Sequence, residues 1–194
     1  MEKKNYTKYI AKVAVLSAAA FLLMFLEIPL PLFPAFLRID LSDLPVLVGG
    51  FALGPLAAVL IELVKNILHF FIKNDGTGGV GNFANFLVGC ALAVPAAWIY
   101  IKYRTRKAVI IGMVVGAVSM VAVAALANYF ILMPLYLGNY GPAVIAPEVT
   151  NNARIVDVKT YVLYAAIPFN AIKAVLVCLI TAIIYKRLST ILHK

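Results

Sequence analysis

Five polar residues stand inside long apolar runs: Glu62, Lys65, Asn128, Asn170 and Lys173. Charged groups in such surroundings are costly to keep, and by default they mark functional positions. A side-chain amide offers both donors and an acceptor, and an ammonium offers donors only. Asn128, Asn170 and Lys173 together could read the edge of a flat heterocycle that carries carbonyl and N–H groups. Aliphatic and aromatic side chains would cover its faces, as in most small-molecule pockets. Asn170 and Lys173 are three residues apart and share a helix face, as do Glu62 and Lys65. A structural reading stands beside each. Lys173 could be a counter-ion to Glu62, Glu62 and Lys65 could be a packing pair, and Asn82 could join two helices. His69, next to Phe70 and Phe71, reads as an interfacial aromatic-like residue, and no second ligand suggests a metal. His193 reads as a solvated tail residue.

The elements that position these groups must lie in a membrane. Of 194 residues, 64% are hydrophobic and 13% charged, and the mean hydropathy is +0.98. Soluble domains run near 45–50% apolar and about 25% charged. One small membrane domain spanning residues 1–194 follows, with no room for a soluble catalytic module. The N-terminal apolar run is too long for a removable leader. Cys90 and Cys178 lie in apolar runs and read as small packing residues.

The formal charge of +9 does not point to nucleic acid, because the cations gather at the ends of apolar runs. Residues 1–12 hold four lysines against Glu2, and the KYRTRK link at 102–107 holds four cations and no acid. The positive-inside rule makes both of these segments, and the C-terminus, cytoplasmic. Two cytoplasmic links need an even number of crossings between them. The apolar regions 9–28, 44–72 and 80–101 supply three, so one must cross twice. Gly54-Pro55 divides 44–72, because a proline disfavours helix at the residue before it. The expected fold is an all-α bundle of six transmembrane helices, near 9–28, 44–53, 55–72, 80–101, 108–133 and 161–185, with both termini cytoplasmic. At about 1.5 Å per residue, Asn170 and Lys173 sit roughly 14–18 Å below the outer surface. Asn82, Asn85 and Asn128 lie near the outer ends of their helices.

Pro29, Pro31 and Pro34 end the first helix in an outer loop, where FLRIDLSD could pair briefly as a strand. Gly76–Gly81 formally matches G-x-G-x-x-G, but no strand precedes it, so it reads as a turn. No Walker A sequence occurs, so ATP hydrolysis is not expected of this chain. Neither H-E-x-x-H nor a nucleophile elbow supports a membrane-embedded enzyme, and too few polar residues line any one helix for a pore. Ala14 and Ala18, four apart, allow close approach of another helix, either within the bundle or from a partner.

Several segments taken together resemble a known family: DLSDLP (40–45), FALGP (51–55), VKNIL (64–68), GGVGNFANFLVG (78–89), NYFILMPLY (128–136) and PFNAIK (168–173). In this order they resemble the substrate-binding S component of an energy-coupling factor (ECF) vitamin transporter, specifically the riboflavin-specific kind. The resemblance implies six helices in a bacterial plasma membrane and an outward-open pocket for riboflavin, extending to its phosphate FMN. It implies that Asn128, Asn170 and Lys173 hold the polar edge of the isoalloxazine ring. Asp43, Leu44 and Asn85 would line the loop side or meet the ribityl chain. Ala14 and Ala18 would dock on a transmembrane coupling subunit driven by two cytoplasmic ATPases. No cofactor beyond the transported ligand is implied. Trp98, the only tryptophan, lies near a cytoplasmic helix end, so Tyr, Phe or Leu must cover the ring. An S component for another vitamin, such as thiamine or pantothenate, is the nearest alternative.

Overall fold

The computed structural model describes residues 2–34, 36–73 and 78–192. Gly76 and Thr77 of the glycine-rich turn, and His193, lie outside the described residues. Helix α1 spans Glu2–Met24. It stops short of residue 28 because Ile28–Pro29 forms strand β1, which pairs antiparallel with β2 (Arg38–Ile39), Ile28 opposite Ile39. The short ribbon expected around FLRIDLSD is therefore present.

Helix α2 (Asp43–Leu53) is buried from Asp43 through Phe51. A helix apolar on all sides belongs inside a bundle, and α2 packs against α1, α3, α4 and α9 (Ile167–Leu192). It ends at Gly54, whose φ of +107° lies where side chains with a Cβ are disfavoured. Pro55 then opens α3 (Pro55–Ile72), a position where its missing N–H costs nothing. The division at Gly54-Pro55 thus stands as expected.

In α3 the buried positions are Ala57, Ala58, Ile61, Glu62, Lys65, Asn66 and His69. Their spacing draws one stripe along the helix, and its polar members face inward. Leu56, Leu63, Ile67 and Phe71 are exposed on the opposite side, as lipid-facing residues should be.

Helix α4 (Val80–Tyr103) and helix α5 (Arg106–Ala127) are joined by a tight link capped by Thr105, whose Oγ1 accepts from the Ala108 N–H at 3.1 Å. Gly112 and Gly116, four apart on α5, permit their contact. A Cβ on Gly112 would lie 2.7 Å from the Ala96 carbonyl oxygen, and one on Gly116 would lie 2.2 Å from that of Leu92. The backbones therefore touch, as small residues at this spacing allow.

The helix expected over 108–133 does not end near residue 133. It passes through a π-helical turn (Asn128–Leu132) into α6 (Met133–Tyr140). A 3-10 turn (Pro142–Ile145) and a short helix α7 (Pro147–Thr150) follow. Helix α8 (Val158–Tyr161) starts on a capping box between Asp157 and Thr160. These hydrogen bonds to Thr160 hold the exposed Asp157 carboxyl below the usual carboxylate range. A second π turn (Val162–Ala166) leads into α9.

Five helical spans are long and apolar enough to cross a membrane, and α2 is a sixth, shorter apolar helix. One core joins α1 to α5 and α9. A second, around Phe33, Ile39, Met133, Tyr161 and Phe169, gathers the loop ribbon and the two π turns. The candidate site lies against this second core.

Candidate functional site: a polar cavity beside two π turns

A cavity of about 210 Å³ opens beside the ribbon. Its walls include Asn85, Asn128, Asn170 and Lys173, with Phe36, Tyr136, Tyr161 and Phe169 supplying aromatic surface. Three helices thus bring Asn128, Asn170 and Lys173 to one place with Asn85, as expected from their depth. Asp43 and Leu44 are not among the residues lining this cavity; Leu44 packs in the main core.

The two inner amides are held alike. Asn128 Nδ2 donates to the Ala124 carbonyl at 2.8 Å, and Asn170 Nδ2 donates to the Ala166 carbonyl, also at 2.8 Å. Both bonds run back four residues, and both sit at a π turn: Asn128 begins one, and Ala166 ends the other. A π turn displaces the regular i→i−4 backbone ladder, and here a side-chain N–H reaches the carbonyl at that spacing. Each amide is thereby anchored through its nitrogen. Asn128 Oδ1 accepts from the Tyr161 hydroxyl at 3.3 Å. Asn170 Oδ1 has no hydrogen-bond partner among the described residues, and neither has the Asn85 side chain.

Lys173 is 6% exposed. Its Nζ lies 2.9 Å from Asp40 Oδ2 and 3.2 Å from Asp43 Oδ2. It does not pair with Glu62, contrary to the structural alternative for this lysine. Glu62 is taken by Lys65 at 2.7 Å and by Asn66 Nδ2 at 3.0 Å. Lys65 Nζ also donates to Asp43 Oδ1 at 2.5 Å and to Ser42 Oγ at 2.8 Å, so three groups surround its ammonium. Asp43 is the joint between the two lysines. Its place in the site is behind Lys173, as a counter-ion.

Asp40 belongs to the same network from the loop side. Its Oδ1 accepts from the Ser42 N–H at 2.8 Å. Burial works to raise this carboxyl, but Lys173, Lys65 and the hydrogen bond from Ser42 together outweigh it and leave Asp40 below the usual carboxylate range. Three acids and two lysines form the cluster, and each of them has a group of opposite sign beside it, which is what makes burial tolerable. Room for it is made by Gly89, where a Cβ would lie 2.3 Å from Glu62 Oε1.

Asp40, Phe36, Tyr136, Tyr161 and Phe169 were not singled out from the sequence. Asp40 left no signal, since Glu62 and Asp43 already match the two buried lysines in number. The aromatic residues had none, since nothing local separates them from other tyrosines and phenylalanines. His69 departs from expectation. It is not interfacial but 5% exposed, with Nδ1 2.8 Å from Asn82 Oδ1, and both residues line the cavity. Ala14 and Ala18 are both exposed on the outer face of α1, so packing within the bundle does not account for them.

At the cavity mouth Glu27 accepts from Arg38 at 2.8 Å and also pairs with Lys73, tying the ribbon to the end of α3. Among the described residues no group of His, Cys, Asp and Glu is arranged to hold a metal ion.

Comparison with known proteins agrees with this architecture. The family described as "ECF transporter, substrate-specific component" matches residues 8–185. A riboflavin transporter RibU of Staphylococcus aureus (strain TCH60) is 34% identical over 187 residues, covering 96% of this chain and 93% of the relative. The riboflavin transporter FmnP of Bacillus subtilis (strain 168) is 31% identical over 182 residues, covering 93% and 92%. A solved structure of the S component of a bacterial ECF transporter superposes with a TM-score of 0.77 at 33% identity, covering 97% of this chain and 99% of that one. The structure of ThiT from Listeria monocytogenes shares the fold, with a TM-score of 0.58 at 18% identity over 98% of each chain. With five long spans, a buried sixth helix and a match across nearly its full length, this multi-pass membrane protein belongs to the family of ECF transporter substrate-specific components.

Proposed function

We propose that the chain captures riboflavin at the outer face of the membrane and delivers it inward as the binding component of an ATP-driven transporter. The observation that carries this reading is the meeting of Asn128, Asn170 and Lys173 on one aromatic-walled cavity. The isoalloxazine edge presents an N–H flanked by two carbonyls. Asn170 Oδ1 is an acceptor suited to that N–H. The Lys173 ammonium has three donors, of which Asp40 and Asp43 engage two, and the third suits a carbonyl. Phe36, Tyr136 and Tyr161 offer apolar faces for the rings. Asn85, on the same cavity wall, suits a polar chain attached to the ring. The names of the RibU and FmnP relatives support the same ligand.

In this reading Ala14 and Ala18 form the seam that docks on a transmembrane coupling subunit, with ATP hydrolysis supplied by two cytoplasmic ATPases. Their exposure supports that use. The termini and the KYRTRK link then face the cytoplasm, and the cavity faces outward.

The direct test is the absorbance spectrum of the purified protein, followed by titration with riboflavin, FMN, thiamine and pantothenate. Saturable flavin binding, with no response to thiamine or pantothenate, is the expected result. Binding of another vitamin in place of flavin would overturn the assignment.

A further inference from the structure

Helix α4 begins with Asn82 and Asn85 on the cavity wall and ends at Tyr103, so the α4–α5 link lies at the opposite end of the bundle from the cavity. Four cations crowd this link, Lys102, Arg104, Arg106 and Lys107, and all four are exposed. The sequence holds no acid between Asp75 and Glu148 to offset them. Three of the four stand against local preference. Arg104 closes α4 in the left-handed region, at φ +48°, a position that favours Gly or Asn. Arg106 and Lys107 occupy the first turn of α5, where the helix dipole disfavours cations. Topology needs only positive charge near a helix end. It does not require an arginine on strained backbone or two cations at the unfavourable end of a helix.

The surface beside the cations is apolar. Arg106, Ile110, Val114 and Val118 recur at every fourth residue of α5 and form one row along the helix. The last three are 61%, 59% and 67% exposed. At ~1.5 Å per residue the row is about 18 Å long, close to the hydrocarbon depth of one leaflet, about 15 Å. On α4, Trp98 lies one turn before Lys102. Trp98 and Tyr103 are 65% and 60% exposed, the placement of aromatic residues at a membrane–water boundary. Lys102 Nζ lies 5.5 Å from the centre of the Tyr103 ring, at that boundary. A cationic head region above an apolar row one leaflet deep matches the outline of a phospholipid. A free phosphate or an acidic protein surface would use the cations and leave the row unused.

We infer that the α4–α5 link and the adjoining face of α5 bind a phospholipid with an anionic headgroup, its phosphate among Arg104, Arg106 and Lys107 and an acyl chain along Ile110, Val114 and Val118. Basic residues beside a span attract anionic headgroups, and the arginine fork suits phosphate oxygens through paired hydrogen bonds. The bound lipid offsets the repulsion among the four cations and anchors this end of the bundle. The site stands away from the cavity, so it does not depend on which ligand the cavity takes.

The test melts the purified protein in neutral detergent with one addition at a time: phosphatidylglycerol, phosphatidylcholine of the same acyl chains, glycerol phosphate, or polyglutamate. Phosphatidylglycerol alone is expected to raise the melting temperature, by about 5 °C, and the gain should shrink in high salt. Arg104→Asn should melt no lower than wild type without lipid, because Asn accepts the left-handed backbone, yet lose about half of the gain. Arg106→Gln combined with Lys107→Gln should lose most of it. Lys159→Gln, at an exposed lysine on α8 near the cavity-lining Tyr161, should keep all of it. Equal gains from the two lipids, or a full gain from glycerol phosphate alone, overturns the lipid site. So does an undiminished gain in Arg104→Asn, the variant that keeps the fold if the double variant does not. Protection by polyglutamate in place of phosphatidylglycerol assigns the cations to an acidic protein surface and also overturns it.

Discussion

Lys173 Nζ lies 2.9 Å from Asp40 Oδ2 across 133 residues of chain, so the helix that carries the ring-reading groups is tied to the loop that leads into α2. The contact has two consequences. It shares with Asp43 the neutralisation of a lysine buried among apolar helices, and it ties the ribbon to the cavity wall. Asp40→Asn keeps the shape and removes one counter-charge, while Asp43 remains. We expect a loss of about 1–3 kcal/mol, less than for complete removal of a buried partner, read as a lower melting temperature of the flavin-free protein. Flavin affinity should fall with it, because Lys173 is no longer held in place.

The same pair predicts an acid limb in stability. Against the raising effect of burial, Asp40 is held below the usual carboxylate range by Lys173 together with Lys65 and Ser42, so its folded pKa lies under its unfolded value, near 4. Such a group contributes fully above the unfolded pKa and loses its contribution as pH falls through the folded value. Melting temperature should therefore not fall on Asp40's account between pH 8 and about pH 5, and should drop below about pH 4. The drop should be shallower in Asp40→Asn. An identical acid limb in the two proteins would remove Asp40 as its source.

Asn170 and Trp98 make a contrasting pair for ligand binding. Asn170 offers a free acceptor to the cavity, whereas Trp98 is 65% exposed on the outside of α4. Asn170→Leu should weaken riboflavin by about 10–100-fold, since it removes a buried polar partner of the ligand, with a small effect on folding. Trp98→Ala should leave affinity unchanged. Fluorescence quenching of the flavin on titration reads both.

Gly89 is a packing position with an electrostatic purpose. Gly89→Ala would place a Cβ 2.3 Å from Glu62 Oε1, pushing the carboxylate away from Lys65. The expected cost is about 2–4 kcal/mol, combining overpacking with a disturbed buried ion pair. Thermal unfolding in detergent measures it. A fully stable Gly89→Ala protein would mean that Glu62 has another place to go.

Ala18 separates capture from delivery. It is exposed on α1 and remote in role from the cavity. Ala18→Trp should leave riboflavin binding by the isolated protein intact and abolish ATP-driven uptake by cells, because a bulky ring keeps a partner helix from close approach. Loss of binding in the isolated variant would return this seam to the bundle's own packing.

Much of the architecture was legible from the chain alone. Apolar run lengths, the cationic links and Gly54-Pro55 together led to six helices; α3 has the expected bounds, and α2 starts one residue earlier, at Asp43. Helix ends were less legible. The fifth span continues to Tyr140 through a π turn, and a π turn leaves no mark in hydrophobic periodicity. Asn128, Asn170 and Lys173 could be gathered from depth alone, since ~1.5 Å per residue fixes height within the bilayer. Height does not fix direction around the helix, however, and so Lys173 was open to pairing with Glu62.

The sequence by itself determined that this chain lives in a membrane, where its apolar helices run, and which amides and cations lie at a shared depth. These follow from one-dimensional quantities: segment length, hydropathy and the distribution of positive charge. Only the tertiary structure decided which charges neutralise one another, which rings wall the cavity, and that His69 faces inward beside Asn82. Those depend on helix rotation and on contacts between segments up to 133 residues apart, and a run of apolar residues with small and large members looks the same at any rotation.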